Sequence, residues 1–172
     1  MRSLAVLLTI AVTTPALAQA QTATECSKAL DADLPPGFVE WTKPATAITA
    51  AANTAAVPAL QPRTPATLAL HPAASVKLAA APEQLRTRPD AHAGLVSIRI
   101  PTAGNWRVAL SNPAWIDLLT VAGPAKSTAH GHGPACSSIR KFVDFNLPAG
   151  EYMLQFTANP GAELRVLVSP VP

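Results

Sequence analysis

Two histidines, His130 and His132, sit two residues apart between glycines in Thr128-Ala129-His130-Gly131-His132-Gly133-Pro134-Ala135-Cys136, and their types and spacing are those of metal ligands. Neutral imidazole ligates zinc and copper, and alternate residues of an extended segment project to one side. The pair can therefore converge on one ion, with a carboxylate such as Asp117 or Asp144 as third ligand. Structural zinc takes four protein ligands and catalytic zinc three plus water, and no His-Glu-x-x-His pattern accompanies the pair. A structural role is the competing expectation: Gly131 and Gly133 allow a tight turn, Cys136 fastens it, and the imidazoles bond to backbone groups.

A second constellation is Ser111-Asn112-Pro113-Ala114-Trp115-Ile116-Asp117, which puts Trp115 and Asp117 at alternate positions on one strand face. Exposed, this pair suits a sugar ring, stacked on the indole with its hydroxyls donating to the carboxylate. Buried, Trp115 is a core residue and Asp117 a turn partner. Arg140-Lys141, the only adjacent cations, read as a solvated strand edge. His71 and His92 join no spacing motif. The chain has no GxSxG elbow, phosphate-binding glycine loop or GxGxxG segment, so neither serine-hydrolase nor nucleotide chemistry is signalled.

The elements that must position these residues come from a modest supply of core material. Of 172 residues, 18 are proline, 13% are charged and 5% aromatic, and 35 of the hydrophobic residues are alanine, which removes little apolar area from water. One domain is the ceiling. A multidomain enzyme, a coiled coil and a nucleic-acid binder are disfavoured, the last because cations are neither numerous nor clustered.

Residues 1–20 have the form of a secretory signal peptide: Arg2, an apolar run from Leu4 to Val12, and a small-x-small cleavage site ending at Ala18 or Ala20. The apolar run is too short to span a ~30 Å hydrocarbon core, so no stable membrane insertion is expected after cleavage, and the destination is periplasmic or secreted. Removing Arg2 lowers the formal charge from +3 to +2, too weak a field to imply nucleic acid or an anionic membrane as partner. In an oxidising compartment two thiols in a small domain form a disulfide, so Cys26 is expected to pair with Cys136. A free Cys136 acting as ligand or nucleophile is the alternative.

Residues 21–65 read as an irregular extension rich in Ala, Pro and Thr. Ala45 to Ala56 is at most a short marginal helix stopped by Pro58, and Phe38 and Trp41 are suited to docking on the domain surface. Residues 66–172 read as an all-β domain. Strands are expected at Ala66–Leu70, Ser75–Ala79, Leu95–Ile100, Asn105–Ser111, Trp115–Val121, Ile139–Leu147, Glu151–Thr157 and Glu163–Val168. Several alternate with period 2: Val96, Ile98 and Ile100; Trp106, Val108 and Leu110; Tyr152, Leu154 and Phe156; Leu164, Val166 and Val168. Each buries one face. Pro101-Thr102-Ala103-Gly104, Pro148-Ala149-Gly150 and Asn159-Pro160-Gly161 lie between strands at hairpin-like distance, the first two leading into an aromatic strand. The sum is an antiparallel, jelly-roll-like β-sandwich of about eight strands with an irregular N-terminal extension.

The segments Ile98 to Leu110 and Phe145 to Phe156 resemble the strand, Ala-Gly turn, aromatic strand units of bacterial pre-peptidase C-terminal-like and carbohydrate-binding-like β-sandwiches, over about half the chain. Ala114-Trp115-Ile116-Asp117 and Ala129-His130-Gly131-His132-Gly133-Pro134-Ala135-Cys136 are also similar to segments of a group of short exported proteobacterial proteins, some of which go under the name homogentisate 1,2-dioxygenase. That second likeness implies an iron-dependent dioxygenase. The two-His, one-Glu iron site of that activity is not legible in this sequence.

The expectation is an exported, non-enzymatic sandwich that binds a small ligand, a glycan or a protein partner, with Trp115 as a ligand-binding residue. The alternatives are a Cu or Zn protein using His130, His132 and Asp117, and an Fe-dependent dioxygenase.

Overall fold

The computed structural model describes residue 26, residues 31–84 and residues 88–172. The signal segment, 1–20, lies outside the described residues. Twelve strands are formed among them: β1 (Thr46–Thr49), β2 (Ala59–Leu60), β3 (Ala66–Ala69), β4 (His71–Pro72), β5 (His92–Ile100), β6 (Gly104–Leu110), β7 (Trp115–Thr120), β8 (Gly123–Pro124), β9 (Ser127–Gly131), β10 (Lys141–Leu147), β11 (Gly150–Asn159) and β12 (Glu163–Pro170). They build two facing sheets. One has the order β1-β3-β12-β6-β10-β9 and the other β2-β5-β11-β7-β8, with β4 also paired to β5. The protein is an all-β sandwich.

Seven of the eight expected strands form, because the alternating residues that marked them meet between the sheets. Val108 and Leu110 of β6, Val166 and Val168 of β12, Ile98 of β5 and Leu154 and Phe156 of β11 belong to one buried core cluster. Ser75–Ala79 forms no strand. A short 3-10 turn at Ala73–Ser75 opens instead into an irregular segment whose backbone is held by side chains: Ala79 and Ala80 donate to Gln155 Oε1 at 3.0 and 3.3 Å, and Glu83 donates to Asp117 Oδ1 at 3.3 Å. Gln155 and Asp117 face outward from β11 and β7, and this segment buries both.

Of the stretch 21–65, the described residues 31–65 are less irregular than their composition suggests. Thr46–Thr49 pairs in parallel with β3, and Ala59–Leu60 in parallel with β5, so both sheets are mixed rather than purely antiparallel. An isolated helix over Ala45–Ala56 would be marginal, whereas a strand gains a ladder and lets Ile48 pack on the core.

The expected hairpins are also different. The Pro101–Gly104 turn joins β5 to β6, Pro148–Gly150 joins β10 to β11, and Asn159–Ala162 joins β11 to β12; each pair lies in opposite sheets. These turns are arches. Two share an aromatic device: Trp106 Nε1 donates to the carbonyl of Thr102 at 3.1 Å, and the Tyr152 hydroxyl to that of Pro148 at 2.8 Å. Each ring is buried while its polar tip satisfies a carbonyl four residues back, which pins the corner where the chain changes sheet.

On the outer face of the first sheet, Phe38 and Trp41 dock as expected. They join Leu34, Ala109, Ile139 and Leu167 in a second buried cluster. Arg165 Nη2 donates to the carbonyls of Trp41 and Lys43 at 2.6 and 2.8 Å, and Ser169 Oγ to that of Gly37 at 2.9 Å. Cys26 and Cys136 form the expected disulfide, across 110 residues of sequence. It fastens the chain ahead of this strap to the loop before β10.

Candidate functional site

At one end of the strand order the sandwich is open. The first sheet ends at β9, and β8 covers only Leu119 and Thr120 of β7, so Trp115, Ile116 and Asp117 have no strand beside them on that edge among the described residues. Between these two edges lies a cavity of about 600 Å³. A second, of about 370 Å³, adjoins it over the Gly133–Ile139 loop, and His132 and Arg140 line both.

Strand register decides which side chains face the cavity. Val143 of β10 is a core residue, and its partner across the ladder is His130. Directly opposed residues share a face, so His130 lies on the inner side, at the cleft. The intervening Gly131 opposes Phe142 on the outer side, where an added Cβ would lie 3.0 Å from the Phe142 ring. His132 follows on the cleft side, as the alternation expected. Both imidazoles are exposed, and neither makes a hydrogen bond or ion pair with any described residue. The loop beyond them is tightly packed: a Cβ on Gly133 would lie 2.1 Å from the Ile139 carbonyl oxygen, and Cys136 has a φ of 59°, in the left-handed region.

Trp115 and Asp117 share a face, as their spacing implied, and that face is the outer one of the second sheet. Trp115 is half-buried, neither a core residue nor free; its Nε1 donates to Asp117 Oδ1 at 2.7 Å. Asp117 is buried. Oδ1 also accepts from the Glu83 amide, and Oδ2 accepts from Gln155 Nε2 at 3.0 Å. This carboxylate orients the indole. The other carboxylate offered as a third ligand, Asp144, is on the outer face of β10 and is held by Arg107 through two 2.7 Å bonds. Among the described residues no three His, Cys, Asp or Glu side chains are grouped so as to hold a metal ion.

Sequence reasoning missed three participants. Lys141 is on the inner face of β10, opposite Leu110; its Nζ donates to the Ala114 carbonyl at 2.9 Å and lies 5.1 Å from the centre of the Trp115 ring. Arg140, one residue earlier, is exposed; its amide donates to the Leu110 carbonyl at 2.8 Å, but its guanidinium, like the imidazoles, makes no hydrogen bond or ion pair with any described residue. Glu83 comes from the irregular segment that covers Gln155 and Asp117. Their adjacency in sequence was visible for Arg140 and Lys141, but nothing in the sequence places Glu83 beside β7. His71 and His92 lie elsewhere, on the β4–β5 ladder, bonded to the carbonyls of Ala50 and Asp90.

Comparison of the chain with family models, with curated proteins and with solved structures found no match. The cleft combines an indole held by Asp117, the unpaired side chains of His130, His132 and Arg140, the exposed residue Glu83 and an apolar floor of Ile116, Val143 and Phe145. Such a surface can bind. Among the described residues no helix is long and apolar enough to cross a membrane.

Proposed function

We propose that the protein is an exported, non-catalytic β-sandwich module that holds a small ligand in the cleft between β7 and β9, in the periplasm or outside the cell. One observation carries the reading. A cavity of about 600 Å³, within the range of ~300–1,000 Å³ typical of small-molecule sites, gathers Glu83, Trp115, His130, His132, Arg140 and Lys141 from four separate stretches of chain. Binding is favoured over catalysis because the buried carboxylate there, Asp117, already accepts three hydrogen bonds and so does not stand ready as a base or nucleophile. The disulfide and the form of residues 1–20 support export. A second reading, Cu or Zn on His130 and His132, is favoured by their placement on one wall of the cavity, though the protein then supplies two ligands.

The test is a thermal-shift screen of the exported protein against saccharides, organic acids, amines and amino acids, with each stabilising compound followed by ¹H–¹⁵N correlation spectra. The expected result is a hit that moves the Trp115 indole resonance and loses its effect in Trp115→Ala. Compounds that bind only elsewhere, or none at all, would overturn the reading. N-terminal sequencing of the exported protein should begin at Gln19 or Gln21; a chain retaining Met1 would sink the export claim.

A further inference from the structure

Within that proposed cleft, on which this inference rests, the partnered and unpartnered groups are unevenly distributed. Asp117 already accepts three hydrogen bonds, and the donor from Trp115 fixes the indole in place. Lys141 is bonded to the Ala114 carbonyl and places its charge over one face of the indole. What remains for a ligand is a group of donors on the β9–β10 side, His130, His132 and Arg140, and a carboxylate, Glu83, on the β7 side. Arg140 and His132 stand where the two cavities meet.

We infer that the ligand is an acidic saccharide, with the carboxylate of a uronic-acid unit held by Arg140, His130 and His132, a sugar ring against Trp115, and hydroxyls donating to Glu83. Each part follows from the chemistry available. A guanidinium binds a carboxylate through paired, charge-assisted hydrogen bonds, and imidazole N–H groups add to them. An aromatic ring with its orientation already fixed offers an apolar platform at low entropic cost. Glu83 accepts from hydroxyls but repels a second anionic group, which disfavours phosphate-rich ligands and favours a hydroxylated body with its charge at one end. Because Arg140 and His132 border both cavities, the site has room on either side of the carboxylate, so a chain of two or three units fits it better than a single sugar.

The test is titration calorimetry of the mature, disulfide-bonded protein with di- and trisaccharides that carry a single terminal galacturonate on neutral galactose units, the wholly neutral galactose oligomers of equal length, and citrate as an acid without a ring. The singly acidic oligomers are expected to bind at least about tenfold tighter than the neutral ones, and citrate weakly. Arg140→Gln, a substitution of an exposed side chain, should remove that tenfold preference by weakening the acidic oligomers far more than the neutral ones, since charge-assisted bonds are lost only to the acid. Trp115→Ala should weaken acidic and neutral sugars alike. Equal binding of acidic and neutral oligomers, or a preference that survives Arg140→Gln, overturns the inference and leaves the ligand-binding reading standing. Citrate binding as tightly as the oligomers overturns the saccharide assignment. Absence of binding to every sugar, while another compound class from the wider screen moves the Trp115 resonance, overturns the inference alone; failure of that screen as well overturns both.

Discussion

On the outer face of β6 the guanidinium of Arg107 makes two 2.7 Å bonds to Asp144 and lies 4.5 and 4.2 Å from the ring centres of Phe38 and Phe142. At the mouth of the cleft Arg140, one residue before β10, is exposed and without such a partner among the described residues. The two arginines flank the same strand. One is consumed by the fold, sealing the strap over the outer face. The other is left over by it. The difference separates cations that hold a structure together from those available to a ligand, and composition alone does not make that distinction. The strap side also has the disulfide, a bond from Trp41 Nε1 to Ser138 Oγ at 2.8 Å, and Asp31 accepting from the Ser138 amide at 2.8 Å. These three tethers reach the loop that ends at Arg140. The closed side thereby positions the open one.

The comparison breaks most readily at Arg107. Removing one partner of a buried ion pair strands the other, so Arg107→Ala should cost about 3–5 kcal/mol in urea unfolding, with Asp144 left buried and uncompensated. Replacing both, as Arg107→Met with Asp144→Leu, should restore most of that loss, because two apolar groups leave no orphaned charge. Arg140→Gln should change stability by less than about 0.5 kcal/mol, as surface substitutions do. Similar losses at the two arginines would erase the distinction.

The disulfide comes next. Cys26→Ser with Cys136→Ser should destabilise the protein by about 2–4 kcal/mol, mainly by freeing the unfolded chain. Asp31 and Trp41 still hold Ser138, so the strap should stay docked in the native state: the Trp41 indole resonance should keep its shift in the double variant. A native spectrum in which the strap signals collapse would show that the covalent bond, rather than the packed cluster, closes this side.

Gly133→Ala sharpens the link between the sides. Its new methyl would meet the Ile139 carbonyl at 2.1 Å, and Ile139 belongs to the buried strap cluster. Backbone must move, at a cost of about 1–3 kcal/mol in unfolding experiments. His132 precedes this glycine and should be displaced with it, so resonances on both sides of the loop should shift. A variant as stable as the parent, with shifts confined to residue 133, would show that the loop moves independently of the strap.

The strands were legible where one face meets the core and the other does not. Val96, Ile98 and Ile100, or Leu164, Val166 and Val168, announce themselves by period 2. β9 carries no such signal: Ser-Thr-Ala-His-Gly is exposed except at its last residue, which is half-buried, and what makes it a strand is the neighbouring edge of β10. β1 was hidden by alanine, which favours helix locally while the ladder to β3 decides otherwise. The turns were read correctly as reversals but not as arches, since proline and glycine specify a change of direction and not the sheet that receives the next strand. The repeated aromatic after each Ala-Gly did mark the corners, through the carbonyl that Trp106 and Tyr152 each reach. The histidine pair was legible from spacing; its company depended on strand order. Arg140 joins His130 because β10 lies between β6 and β9, and Asp117 turns from the histidines toward Gln155 because Ile116 and Leu118 take the core side of β7.

The smallest effect on stability, and the sharpest test of the open side, belongs to His130→Ala with His132→Ala. Both side chains are exposed and unpartnered, so the double variant should unfold within about 0.5 kcal/mol of the parent. Its consequence lies in what the cleft holds. With Asp117 accepting from Trp115, Gln155 and Glu83, and Asp144 from Arg107, an ion at the two imidazoles would find two protein ligands where zinc takes three or four and non-haem iron takes two histidines and a carboxylate. The purified protein is therefore expected to contain less than stoichiometric Cu, Zn or Fe by elemental analysis, with the same content in the double variant. One equivalent of metal that disappears in the double variant would reverse this. Asp117 would then have to give up hydrogen bonds that now hold Trp115, and the indole resonance of the metal-loaded protein should move as it does so.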